Sequence, residues 1–484
     1  MGPSCHARRN GPAPRLAPLR TDAFALRCGV LGRVSFAGAI AGVCFVFGCR
    51  SVFGIEELAP SERAAEPTLP VADASGAGNA VDGTSQPVVD PPGHAVAIAA
   101  GLYHACALLE DGRVKCWGRN DLGQLGIGDT ESRGDEASEL GKALPSVDFG
   151  AGEYAVEIAA GTAHTCARLA SGAVRCWGDN GYGRVSPATT PSLGSNQGDV
   201  ANASLHFNLN SESAEALFVG SYASCVKTSS RVRCWGEVAG KMWKGEDVTL
   251  PTAPATSLSP GNNPACALSN RNQLYCWSSV NDACQLGECG LVNHTAPNNP
   301  PIPLPFVPSA TYTAQRHACA RSSAGEFVCW GANNYAQLGT GNTNPGQAPL
   351  AFRVPTGRAV IDAALGDYHT CVVFDDATVR CVGQNYTGAL ARTGQGVWGS
   401  QPEDVGEGLA ACRIGVGRRV RKVAIGGQFT CVLLETGRVL CFGQNSYGQL
   451  GLGHTIQTGT APWNLDGALQ PIDLGDTELA AGPP

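Results

Sequence analysis

The sequence predicts an all-β chain built from one repeated unit. Three observations carry that reading. The 484 residues include 63 glycines and 21 cysteines, and only 15% of them are charged. Average chains hold roughly 7% glycine and about 25% charged residues. Helix bundles and coiled coils need the opposite balance. From Val96 onward, a segment with a cysteine pair occurs seven times, and in five copies an aromatic–glycine step follows the second cysteine. Repeats of this size in a strand-forming pattern mean a propeller or a solenoid.

The N-terminus reads as an address. Six arginines and one acid, Asp22, precede an uncharged apolar run from Val34 to Gly48 that ends at Cys49. A basic region followed by about fifteen apolar residues is the layout of a secretory signal. Val46-Phe47-Gly48-Cys49 resembles a bacterial lipobox, with Phe47 bulkier than usual. We therefore expect a signal peptide over 1–48 and lipidation of Cys49. Residues 49–93 follow, rich in Pro, Ala, Ser, Gly and acids, and read as a disordered tether. Removing a segment with six arginines and one aspartate takes the net charge from −7 to −12. The expected location is extracytoplasmic, in a bacterial cell envelope, with a lipid anchor in the membrane.

The repeating region spans 94–484. Its first unit reads IAAGLYHACALLEDGRVKCWGRNDLGQLGIG. The cysteine pairs are Cys106 and Cys116, Cys166 and Cys176, Cys225 and Cys234, Cys266 and Cys276, Cys319 and Cys329, Cys371 and Cys381, and Cys431 and Cys441. Six pairs are ten residues apart. Cysteines that face each other across a hairpin then enclose a three-residue loop, whose last residue wants a left-handed conformation. That position holds Gly112, Gly172, Asn272, Gly325, Ala377 and Gly437. Glycine and asparagine tolerate it best, and Ala377 departs. The third unit is one residue shorter and leaves a two-residue loop, Ser229 and Ser230. Both arrangements place the cysteines at a non-hydrogen-bonded rung, where Cα atoms come within disulfide reach. Zinc sites favour two to four residues between ligands, so seven intra-hairpin disulfides are preferred over metal binding. Each closes a short loop and contributes about 2–3 kcal/mol at most. Cys284 and Cys289 lie in the fourth unit's turn and are candidates to bridge each other. Cys412 is left over.

Two side-chain series recur. His104, His164, His317 and His369 each stand two residues before a first cysteine. A ring of histidines is a conceivable metal site, but reuse of a packing residue is the simpler reading. Trp117, Trp177, Trp235, Trp277, Trp330 and Phe442 follow the second cysteines, with Val382 as the exception. They are expected to wedge blade against blade rather than to form a sugar platform.

The combination of IAAG-x-x-H-x-C-A-L with G-R-V-x-C-W-G-x-N-x-x-G-Q-L-G resembles the regulator of chromosome condensation repeat family. Gln124-Leu125-Gly126, Gln337-Leu338-Gly339 and Gln449-Leu450-Gly451 stand intact. Unit two has Arg184-Val185-Ser186 there, and unit three has lost the motif. The resemblance implies a seven-bladed β-propeller of four-stranded blades. The family's founding member is a nuclear exchange factor for a small GTPase that binds chromatin. A secreted chain of charge −12 is expected to meet neither a small GTPase nor nucleic acid, which wants a basic stripe. The one basic cluster, Arg413, Arg418, Arg419, Arg421 and Lys422, reads as a solvated loop. Secreted bacterial relatives include a protein inhibitor of β-lactamases.

The function expected is a membrane-tethered interaction module for an unknown protein or cell-surface ligand. A hydrolase or lyase acting on extracytoplasmic polymers is the alternative. No catalytic motif is present, and no cofactor or metal is expected. The longest segments between units, 129–157, 187–217 and 392–421, are where specificity would reside, with Leu205, Phe207 and Trp398 as candidate contacts. Ring closure stays open: PIDLGDTELAAG at the C-terminus looks like the start of an eighth unit, yet GHAVAIAAG supplies that strand at the front.

Overall fold

The structure is a computed structural model and describes residues 93–187, 191–202, 206–289 and 295–475. The signal over 1–48, Cys49, the tether up to residue 92, Leu205 and the chain end from residue 476 lie outside the described residues.

Seven antiparallel sheets follow one another along the chain, one per unit. The fold is an all-β seven-bladed propeller. Blade one shows the plan. Its first strand, Ala95–Ala100, pairs with His104–Leu109, which pairs with Val114–Gly118. The second and third strands are buried along their whole length. They read as near-continuous apolar runs because a neighbouring blade covers each face. Blades two, three, five and six have a fourth strand, while blades one and seven close their outer edge with isolated bridges.

Every hairpin carries its disulfide at the same rung. Cys106 pairs with Cys116, Cys166 with Cys176, Cys225 with Cys234, Cys266 with Cys276, Cys319 with Cys329, Cys371 with Cys381 and Cys431 with Cys441. Their Cα atoms are 4.0–4.1 Å apart, the close approach of a non-hydrogen-bonded rung. The loop explains the register. Gly112 has φ +80 and its N–H donates to Leu109 O at 3.0 Å. Asn272 and Ala377 adopt the same left-handed conformation at φ +57 and +63. Cys284 bridges Cys289 in the turn of blade four.

The outer edge also repeats. Val147, Val248, Ile302, Phe352, Cys412 and Ile472 each donate their N–H to a third-strand carbonyl. This settles the two chain ends. Ile472 bonds to Val439 O at 2.9 Å, so the C-terminal segment finishes blade seven rather than starting an eighth unit. Ala95 bonds to Gly437 O at 3.1 Å, as Ala155 bonds to Gly112 O at 3.0 Å. The first-to-last junction is thus an ordinary blade junction. Among the described residues neither end is surplus, and no blade is shared between them. The two ends resembled each other in sequence because first strands and outer edges are both short and half-apolar.

Gly112→Ala is expected to destabilise the chain by about 1–2 kcal/mol, the cost of a left-handed non-glycine residue. The added Cβ would also meet the Tyr154 Cβ at 2.8 Å. Urea denaturation of the two proteins checks it, and an unchanged midpoint would contradict the loop assignment.

Candidate functional site

The site is built by the seams between blades. In blade two, the Trp177 indole Nε1 donates to Gln124 O of blade one at 2.9 Å. Trp117 donates to Gln449 O and Trp330 to Gln285 O, each at 3.0 Å. The Gln-Leu-Gly turn of one blade therefore offers its glutamine carbonyl to the tryptophan of the next. Where the turn is altered, the contact changes. Trp277 follows unit three, which lacks the motif, and its buried Nε1 has no partner among the described residues. Trp235 follows Arg184-Val185-Ser186 and stacks on Phe207 instead, with centroids 4.2 Å apart. Phe207 is thereby a buried seam residue, and Trp398 is half-buried beneath the Arg392 guanidinium at 4.3 Å.

The histidines complete the same seams. His104 Nε2 lies 2.8 Å from Thr165 Oγ1, His164 Nε2 3.1 Å from Ser224 Oγ, and His317 and His369 Nε2 3.0 Å from Thr370 and Thr430 Oγ1. Each reaches the hydroxyl just before the next blade's first cysteine. The Thr165 hydroxyl donates onward to Gln124 O at 3.1 Å, so it accepts from His104, which must carry its proton on Nε2. The three units without histidine have Ala223, Pro264 and Phe429 at that position. Their facing residues are Ala265, Ala318 and Ala105. A hydroxyl stands wherever a histidine faces it, and alanine wherever none does. The histidines sit one per seam, and among the described residues no three His, Cys, Asp or Glu side chains gather as a metal site would require.

Burial fixes the charge of this series. It lowers the pKa of His104 and His369 to about 4 and of His317 to about 3. His164 falls well below its ordinary value through burial, with the Arg184 charge acting the same way. All four are neutral at physiological pH. Cys412 occupies an outer-edge position held elsewhere by Val, Ile or Phe, and burial pushes its thiol up to about 12, so it is an inert core residue.

The basic cluster is dispersed into structure. Arg421 and Lys422 lie in the first strand of blade seven, Val420–Ile425, which corrects the expectation of a loop. Arg413 pairs with Asp466, Arg419 with Glu435 and Lys422 with Asp362, while Arg418 donates to the Ile414 and Leu469 carbonyls. These cations answer neighbouring acids and carbonyls, and form no stripe.

One face of the ring remains open. Turns joining first and second strands surround the mouth of the central channel, a cavity of about 220 Å³. Gly101, Gly161, Gly220, Gly366 and Gly426 line it, along with Leu102, Tyr222 and Asp367. Glycine is required at Gly101, where a Cβ would collide with the His104 ring. Tyrosine pairs straddle the seams outside this mouth. Tyr103 meets Tyr447 at 5.3 Å, Tyr182 meets Tyr222 at 5.4 Å, and Tyr335 meets Tyr368 at 5.2 Å. Tyr386, in the corresponding turn of blade six, is exposed. Arg119 lies over both Tyr103 and Tyr447, at 5.8 and 5.1 Å. Arg184 lies over Tyr182 and Tyr222, at 5.4 and 5.3 Å, and pairs with Asp179. Sequence reasoning passed over these tyrosines, because their common face emerges only once the units are arranged in a ring.

The fold and its seams define a disulfide-stapled seven-bladed propeller. The regulator of chromosome condensation (RCC1) repeat matches the chain at 95–124, 155–184, 360–389 and 420–449. A second profile of the same repeat matches 111–168, 325–373 and 436–469. The chain carries regulator of chromosome condensation repeats within its seven-bladed propeller. It is similar to the ultraviolet-B receptor UVR8 of Arabidopsis thaliana, 25% identical over 397 residues, covering 78% of this chain and 83% of that protein. It is also similar to the probable E3 ubiquitin-protein ligase HERC4 of Homo sapiens, 38% identical over 90 residues, which cover 19% of this chain and 8% of that protein. Among solved structures, Prp20p from Saccharomyces cerevisiae superposes with a TM-score of 0.55 at 17% identity, covering 81% of this chain and 88% of Prp20p. Propellers of this kind are generally protein-interaction modules.

The neutral histidines predict a pH response. Unfolded histidines titrate near pH 6.5, whereas the native ones refuse protons until about pH 4 or below. Their contribution is fully present above pH 6.5 and is lost as pH falls from there towards 4. Asp362 and Asp367, whose pKa values burial raises, act in the opposite sense as pH falls. The melting temperature is therefore expected to fall between pH 7 and pH 5, with up to one proton taken up per buried histidine on unfolding. Calorimetry across that window checks it, and a constant melting temperature would contradict neutral seam histidines.

Proposed function

We propose that this propeller is an extracytoplasmic module that docks a protein partner on its tyrosine-lined face and is held at a membrane through Cys49. One observation carries the docking reading: three tyrosine pairs straddle blade seams around one channel mouth, and two arginines lie flat against two of those pairs. Tyrosine and arginine dominate the energetic centres of protein interfaces, because they bury large area with few rotatable bonds and keep a polar tip. Here the rings are already ordered, so little side-chain entropy is lost on docking.

Two further observations support the location. Eight disulfides are the habit of chains that fold in an oxidising compartment. The basic and apolar segments before Cys49 supply an export address. The channel mouth presents one carboxylate, Asp367, whereas hydrolysis of sugar polymers ordinarily uses a pair. The solved structure of Prp20p is described together with its binding to Gsp1p and histones. That fits a face used for proteins, and neither of those partners is carried over to this chain.

The test is cross-linking of the full chain in its own cells, with fractionation. The native protein is expected in the membrane fraction, cross-linked to a protein partner. Tyr103→Ala with Tyr447→Ala should lose most of the cross-link while the protein stays folded and membrane-bound. Cys49→Ala should release it to the soluble fraction. A cross-link indifferent to the tyrosines would overturn the docking reading, and an unchanged distribution for Cys49→Ala would overturn the anchor.

A further inference from the structure

Charge on the tyrosine face is matched, with one exception. Arg119 pairs with Asp121 at 2.6 Å, Arg184 with Asp179 and Arg316 with Asp282. Asp367, at the channel mouth, has no ion pair or hydrogen bond among the described residues. It is half-buried there, and the loss of solvent around it raises its pKa. A desolvated carboxylate without a counter-charge costs stability. Nothing in the fold around Asp367 needs one, since the corresponding residues in other blades are Leu102, Thr162, Ser221 and Gln315.

The backbone around the mouth points the same way. Eight amide groups of these turns are engaged within the ring. Gly101, Gly161, Gly220, Gly366 and Gly426 N–H donate to the carbonyls of His104, His164, Ala223, His369 and Phe429. Leu102, Thr162 and Gly427 N–H donate across the seams to Thr162, Ser221 and Leu102 carbonyls. The Gly101, Gly161 and Gly220 carbonyls receive no such donor among the described residues. The mouth thus offers a negative charge, and no lysine or arginine is among the described residues that line it. A compact positive group complements a cavity of about 220 Å³, which describes an ammonium better than a planar guanidinium.

We propose that the channel mouth is a socket for one lysine side chain of the docked protein partner, with Asp367 as its counter-ion. The inference rests on the docking reading above and names the partner's central contact. The surrounding tyrosines seat the backbone and flanking residues of the loop that projects the lysine. A net-negative chain favours approach of a basic segment.

The test uses the full chain and a capped tripeptide, Leu-Lys-Leu, followed by calorimetric or NMR titration. Leu-Gln-Leu and n-butylamine are the controls. The lysine peptide should bind, the glutamine peptide at least tenfold more weakly, and n-butylamine more weakly than the lysine peptide because it lacks the tyrosine contacts. Asp367→Asn should weaken the lysine peptide at least tenfold. It should also be as heat-stable as the native chain, or more so, at neutral pH, which excludes unfolding as the cause. Equal binding of the two peptides, or no effect of Asp367→Asn, would overturn the socket. Equal binding of n-butylamine and the lysine peptide would overturn a protein-borne source. A cross-linked partner lost with the tyrosines but kept by Asp367→Asn would overturn the socket and leave the docking face standing.

Discussion

The ring depends on a blade's ability to satisfy its neighbour's buried polar groups. A propeller blade cannot bury both of its faces alone, so stability comes from seams repeated around the circle. In this chain the seam is polar at its centre. A histidine Nε2–H, a threonine or serine hydroxyl, a glutamine-turn carbonyl and an indole N–H meet between blades one and two. Each group is buried, and each would cost free energy if left unpaired. Seams that drop the histidine drop the hydroxyl as well, and Phe429 against Ala105 makes the closing junction apolar. The junction between the chain ends therefore holds without a histidine–hydroxyl bond, by packing, backbone bonds and side-chain bonds such as Trp117 Nε1 to Gln449 O and Arg421 to Val96 O.

Disulfides and seams divide the work. The hairpin bridges act inside a blade, at a rung where two strands approach closely, and the histidines and tryptophans act between blades. The turns at the channel mouth carry partly exposed rings in pairs across the seams. Arg119 and Arg184 hold those rings at their seams. The tyrosine face is a consequence of the seams, because each tyrosine pair is formed by two consecutive blades.

The cysteine spacing and the left-handed loop position were legible because both are local: they follow from strand pairing within a dozen residues. The tryptophan wedges were legible as a series, but their acceptor was not, since a backbone carbonyl leaves no mark on the sequence. The histidine partners were written in plain sight, as Thr165, Ser224, Thr370 and Thr430, with Ala105, Ala265 and Ala318 where no histidine faces them. Reading them requires knowing that each blade faces the next. The basic residues from Arg413 to Lys422 looked like a solvated loop because their partners, Asp466, Glu435 and Asp362, are distant in sequence. Asp367 has no distinguishing context in the chain, and its importance comes from where the ring places it.

The seam account is tested most directly by a double-mutant cycle at the junction of blades one and two. His104→Phe and Thr165→Ala each leave one buried polar group without its partner, and each is expected to destabilise the chain by about 1–3 kcal/mol. Together they install the chemistry already present between blades seven and one, Phe429 against Ala105. The account predicts that the double variant is more stable than either single variant, with a coupling of about 1 kcal/mol or more. Strictly additive losses would show that histidine and hydroxyl act independently, and would contradict the seam as the interaction on which the ring depends.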